Sequence, residues 1–253
     1  MLSEQFLIEI ILKADEIKDR SEYPFCLNAF RHLDRLKLHP KVTFFVGENG
    51  TGKSTLLEAI AIANGFNPEG GTKNFGFSTR ESHSSLEKYI RCSRGVKKPR
   101  DGYFLRAESF FNVASEIEAL DREPSFSPPV IESYGGKSLH EQSHGESFFA
   151  LMMHRFSRES LFILDEPEAA LSPSRQMSMI CRMNELVDQN CQFLIATHSP
   201  ILMAYPEADI LVLGDNGIAR TEYRDTEHFQ LMKHFMNNPE GMVEQLLGST
   251  ETE

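Results

Sequence analysis

The amino-acid sequence predicts an α/β fold: a mainly parallel sheet flanked by helices, with a smaller lobe of helices and irregular chain at about residues 67–142. Three observations predict it. Apolar runs of strand length alternate with helical runs in the second half of the chain. Those runs stop abruptly at polar or glycine-rich turns. Between Asn67 and Gln142 the period loosens around Gly70-Gly71, Gly76 and EPSFSPPV. Residues 1–253 read as one domain into which that lobe is inserted.

At the N-terminus, MLSEQFLIEIILKADEIKDR carries a short apolar run interrupted by Glu9. It is too short and too charged for a membrane span, and it lacks the basic start and small-residue cleavage site of a secretory leader. It reads as an amphipathic helix. KVTFFV at 41–46 is a β-branched and aromatic run ending in a glycine-rich turn, so it reads as a strand. STLLEAIAIAN then reads as a helix that stops before Gly65. SHGESFFALMMHRF is helical in period, and the LFIL core of SLFILDEPE reads as a buried parallel strand. A helix covers about 173–189, QFLIATHSP supplies another buried strand, and ADILVLGDNGIARTEY predicts a terminal strand and hairpin at Asn216-Gly217. In such a sheet the ligand sits at the carboxyl ends of the strands.

Composition bounds the function classes. The 253 residues, 40% of them hydrophobic, can build a large core without staples. Cys26, Cys92, Cys181 and Cys191 form no CxxC pair, which argues against a disulfide framework or a zinc site and for a reducing, cytoplasmic setting without membrane insertion. A net charge of −11 repels polyanions at long range. The one local exception is RCSRGVKKPR, where Arg91, Arg94, Lys97, Lys98 and Arg100 occur without an acid; a solvated loop and a nucleic-acid contact both fit it.

GENGTGKST, Gly47 to Thr55, fits G-x-x-x-x-G-K-[ST] between a predicted strand and a predicted helix. Backbone N–H groups and a helix N-terminus can there surround a phosphate chain, and Gly47, Gly50 and Gly52 let the backbone approach it. Asn49, Thr51 and Thr55 belong to the same phosphate-binding candidate set. Lys53 would reach the β- and γ-phosphates, and the Ser54 hydroxyl would take one position on Mg²⁺. In LFILDEPE the adjacent carboxylates of Asp165 and Glu166 point to opposite sides of a strand, so they can do different work. Asp165 would hold Mg²⁺, and Glu166 would polarise an attacking water.

The ordered set resembles an ABC-class P-loop ATPase: Walker A at GENGTGKST, a signature-like SHGES at Ser143 to Ser147, Walker B at LFILDEPE and a switch histidine, His198, in ATHSP. DEPEAALSP, ATHSP and FRHL further resemble the recombination-repair and chromosome-maintenance branch and its stand-alone bacterial ATPases, over about residues 23 to 215. The resemblance implies an ATP-dependent homodimer in which Ser143 and Gly145 of one copy meet the ATP bound by the other. It implies that His198 contacts the γ-phosphate and that Arg31 of FRHL contacts the nucleotide, with Tyr23 or Phe25 either beside adenine or in the core.

Several positions depart from the family. His144 replaces the first glycine of the signature pair, and Ser143 with Glu146 equally has the spacing of a helix capping box. No glutamine occupies the metal-contacting position, where GYFLRAESFFN offers Glu108, and Ser172 stands where relatives often carry aspartate. The resemblance implies ATP hydrolysis by a stand-alone ATPase acting in DNA repair or in defence against foreign DNA, with a nucleic acid or a protein as partner. The alternatives are the ATP-binding subunit of a transporter and a P-loop small-molecule kinase. The kinase would need lid arginines in place of the signature and switch histidine.

Overall fold

A computed structural model describes residues 5–73, 84–106, 110–122 and 128–248. In chain order the main elements are β1 (Leu7–Leu12), α1 (Asn28–Arg31), β2 (Arg35–Lys37), β3 (Val42–Val46), α2 (Lys53–Ala63), α3 (Leu86–Tyr89), β4 (Ile90–Arg94), β5 (Asp101–Arg106) and α4 (Phe110–Arg122). They continue with α5 (His144–Ala150), β6 (Ser160–Asp165), α6 (Pro173–Asp188), β7 (Gln192–Ala196), α7 (Pro200–Met203), β8 (Ala208–Gly214), β9 (Gly217–Thr221), α8 (Glu227–Asn237) and α9 (Pro239–Leu247).

Among the described residues six strands form the main sheet, in the order β5-β6-β7-β3-β8-β9. Every neighbouring pair is parallel except the closing β8–β9 hairpin. Because β3, β6 and β7 are fully buried, their side chains alternate between two cores, and apolar residues are needed on both faces. Val42, Phe44, Phe162, Leu164, Phe193 and Ile195 face one core, which Met179 and Met183 of α6, Ile117 of α4 and Phe148 of α5 complete. Phe45, Leu161, Ile163 and Leu194 face the other, against Leu56, Leu57 and Ile60 of α2.

The second core is roofed by a smaller antiparallel sheet, β2-β1-β4, and here the N-terminal expectation fails. LIEIIL forms a strand, not an amphipathic helix. Leu7, Ile10 and Leu12 turn inward, while Glu9, which interrupts the apolar run, lies on the outer side and pairs with Arg35 at 3.1 Å. Three isoleucines in six residues suit a pleated, half-buried surface, and the cross-strand partners Leu36 and Cys92 flank Ile10. Gln192 joins the two sheets: its buried amide accepts from the N–H groups of Phe6 and Leu7 at 3.2 and 2.9 Å and donates to the carbonyls of Leu7 and His39 at 2.8 and 3.0 Å.

The stretch expected to form a lobe of helices and loops contributes strands to both sheets. β4 closes the small one, and β5 forms an edge of the large one, with Gly102 to Leu105 buried along β6. A Cβ on Gly102 would stand 2.5 Å from the Leu161 carbonyl oxygen, so only glycine permits this pairing distance. Within the same stretch, α4 and a 3-10 turn at Val130–Tyr134 pack over the first core, while residues 74–83, 107–109 and 123–127 lie outside the described residues. No helix among the described residues is long and apolar enough to cross a membrane.

Candidate functional site

Parallel register brings three strand ends to one edge. Phe45 lies opposite Ala196, and Ala196 lies opposite Asp165, so the chain leaves β3, β6 and β7 side by side. From β3 it enters the glycine loop. Gly47 has φ 147° and lies so close to β8 that a Cβ would sit 2.3 Å from the Leu213 carbonyl oxygen. Gly52, at φ 101°, caps α2 without a side-chain hydrogen bond, leaving the first-turn N–H groups of that helix available to an anion. The N-terminus of α2 therefore opens onto the strand edge.

Lys53, the first residue of α2, is buried, and its ammonium donates to the carbonyls of Gly47 and Glu48 at 2.8 and 3.1 Å. Burial pulls its pKa down, while Glu166 and Asp165 oppose the shift. Ser54 Oγ donates to Asp165 Oδ1 at 3.0 Å, which ties the loop to the end of β6. Thr55 Oγ1 and the Tyr23 hydroxyl share a hydrogen bond of 2.6 Å, and Thr51 Oγ1 donates to the Glu48 carbonyl at 2.9 Å. Asn49 and Gly50 are exposed at the tip of the loop.

Glu166 is not part of the strand. It has left-handed backbone (φ 51°, ψ 52°) and caps a 3-10 turn at Pro167–Ala170, so its carboxylate is aimed by the turn and not by strand alternation. His198 Nε2 lies 3.6 Å from Glu166 Oε1. Burial chiefly, then the nearby Lys53 charge, lowers the His198 pKa, so its imidazole is neutral at neutral pH. Lys53, Ser54, Asp165, Glu166 and His198 thus form one cluster.

Other candidates stand apart from it. Ser143 is exposed and bonds within its own turn: its N–H and Oγ donate to Glu146 Oε2 at 3.0 and 2.7 Å, which is the capping-box arrangement. Gly145 packs against the 3-10 turn, where a Cβ would come within 2.6 Å of the Ala170 carbonyl oxygen. Arg31 is exposed at the end of α1, the helix whose Phe30 ring abuts Gly52. Phe25 is buried edge-on against Tyr89, whereas Tyr23 is 59% exposed and does not pack in the core. Glu108 lies outside the described residues, and Arg106 pairs with Glu58 of α2 at 2.6 Å.

Sequence reasoning missed two residues that hold His198. The largely buried Glu168 accepts the His198 backbone N–H at 2.5 Å, and burial raises its pKa. His228 of α8 places Nε2 3.2 Å from His198 Nδ1. Glu168 had a signal, a third acid in the proline turn DEPE. His228 had none, since it comes from thirty residues along the chain.

Residues 27–148 match the family described as AAA domain, and residues 138–203 match the AAA ATPase domain family. The chain is 26% identical over 214 residues to an energy-coupling factor transporter ATP-binding protein of Methanospirillum hungatei, covering 80% of this chain and 53% of that protein. It is 28% identical over 211 residues to a tungstate uptake system ATP-binding protein of Campylobacter jejuni, covering 79% of this chain and 61% of that one. The chain thus spans less than two thirds of the length of these curated relatives. Among solved structures, the SMC head domain from Thermotoga maritima aligns at TM-score 0.44 and 16% identity, covering 86% of this chain and 100% of that one. A second, cbiO1 from Clostridium perfringens, aligns at TM-score 0.48 and 15% identity, covering 96% and 99%. A glycine loop, a paired carboxylate turn and a histidine gathered at one edge of a parallel sheet thus accompany similarity to AAA-type ATPase domains over residues 27–148 and 138–203.

Proposed function

We propose that the chain hydrolyses ATP at a site completed by a second copy of itself. The observation that carries this reading is the bond from Ser54 to Asp165, with Glu166 and His198 just beyond it and Ser143 engaged in its own turn. The triphosphate would displace the loop carbonyls as partner of the Lys53 ammonium and would meet the open N-terminus of α2. Ser54 and Asp165 offer a hydroxyl and a carboxylate side by side. Mg²⁺ held there would neutralise phosphate charge. Glu166 orients water, His198 donates from Nε2 to a phosphoryl oxygen, and the exposed Ser143 reaches the nucleotide of the opposite copy.

The test compares wild type with Lys53→Ala and Glu166→Gln. Both lose turnover by about a hundredfold or more, and only Glu166→Gln accumulates an ATP-bound dimer in size-exclusion chromatography. Undiminished turnover in both, or no nucleotide-dependent dimer, overturns the reading.

Two outputs of the cycle follow from different observations. The exposed Arg91, Lys97 and Lys98 on and after β4, with the family resemblance, support action on DNA in repair or in defence. The names of the curated relatives support a transporter's ATP-binding subunit instead. Stimulation of turnover by duplex DNA that fades as salt rises favours the first. Copurification with a membrane protein and no response to DNA favours the second.

A further inference from the structure

We infer that His228 is a positioning residue for ATP hydrolysis: it holds His198 in the tautomer that carries its proton on Nε2, and so places the switch histidine under the control of α8. The inference rests on the reading of His198 given above.

The placement of His228 is built by a chain of local contacts. After β7, Ser199 Oγ caps α7 by accepting from the N–H groups of Ile201 and Leu202 at 3.1 and 3.2 Å. The Tyr223 hydroxyl then donates to the Pro200 carbonyl at 2.9 Å, clipping the 3-10 turn Tyr223–Asp225 onto the start of α7. Thr226 is buried and caps α8 by accepting the Phe229 N–H at 3.3 Å. Two residues past that cap, His228 faces His198, with ring centroids 5.4 Å apart.

The tautomer follows from what surrounds the ring. Between His198 Nδ1 and His228 Nε2, 3.2 Å apart, one nitrogen must donate and the other accept. At the other side of the His198 ring, Nε2 is buried, has no hydrogen-bond partner among the described residues and lies 3.6 Å from the Glu166 carboxylate. A lone pair on Nε2 would face another acceptor there, whereas an N–H faces an anion. The proton of His198 therefore sits on Nε2, Nδ1 accepts, and His228 Nε2–H is the donor. Lys53 and Glu48 also face His198 from the loop side; the lysine charge disfavours a second proton on the ring, as does His228. The consequence is chemical: Nε2–H can donate to an anionic phosphoryl oxygen, which the other tautomer cannot.

The test uses the full chain with His198→Ala, His228→Phe and His228→Gln. Phenylalanine keeps a ring but has no donor; glutamine sets an amide N–H near the place of Nε2. His228→Phe is expected to lower kcat about tenfold to a hundredfold with the KM for MgATP little changed, and His228→Gln to restore most of it. Two-bond ¹H–¹⁵N spectra should show His198 protonated at Nε2 in wild type and in His228→Gln, and a tautomer mixture in His228→Phe. Loss of turnover in His198→Ala alongside wild-type kcat in His228→Phe, or a wild-type spectrum with the proton on Nδ1, overturns the role of His228 alone. Undiminished turnover in His198→Ala overturns the reading of His198 and the inference with it.

Discussion

Ser54 Oγ donates to Asp165 Oδ1 across 3.0 Å, although 111 residues of chain separate them. The bond joins the first turn of α2 to the last residue of β6, so it holds the two motif-bearing segments in register. Removing the hydroxyl with Ser54→Ala should leave the fold intact and raise the KM for MgATP about tenfold or more. Titrating Mg²⁺ at fixed ATP checks this. Equal magnesium dependence in variant and wild type would remove Ser54 from the proposed metal site.

Gly47 and Gly50 both have positive φ, but for different reasons. At Gly47 a Cβ meets the Leu213 carbonyl oxygen at 2.3 Å, while at Gly50 a Cβ meets no atom of the described residues within 4 Å beyond its own chain neighbours. Gly50→Ala should therefore cost only the backbone strain of about 1 kcal/mol. Gly47→Ala adds a backbone clash and should cost about 3 kcal/mol or more. Urea midpoints of the two variants should differ in that order.

Glu168 should make stability depend on pH. Its folded pKa is raised above the ordinary 4.5 by burial, so the folded state holds a proton that the unfolded state has released. Stability then falls as pH rises from about 4.5 through the folded pKa, and the penalty is complete above it. Glu168→Gln keeps an oxygen for the His198 N–H and cannot ionise. The gap in melting temperature between variant and wild type should widen in favour of the variant across that window. A gap independent of pH would contradict the assignment.

Gln192 holds the start of β1 to the main sheet with three hydrogen bonds, to Phe6 and Leu7, and donates a fourth to the His39 carbonyl. Gln192→Leu leaves the Phe6 and Leu7 N–H groups without that acceptor and should cost about 2 kcal/mol or more. Amide exchange should accelerate first at Phe6 and Leu7, before residues of β3.

Much of the strand edge that carries the cluster was legible in sequence. KVTFFV, LFIL and QFLIA are uninterrupted apolar runs, and only a strand buried on both faces needs that pattern. Each ends at a sharp polar transition where a parallel sheet exposes its ligand edge. LIEIIL was not legible in this way. Six residues with one charge fit a helix face as well as a strand, and burial under β2 and β4 decided between them. GYFLR in β5 was hidden by the glycines and charges around it, and its place at the sheet edge depends on contact with β6.

By itself the sequence determined the central strands, the glycine loop and which five residues would cluster, because local period and motif spacing are properties of contiguous chain. Tertiary structure alone decided that LIEIIL would be a strand, that Glu166 would leave the strand in left-handed backbone, and that Glu168 and His228 would grip His198 from two sides. Those outcomes come from long-range pairing and burial, which act between segments that no local pattern connects.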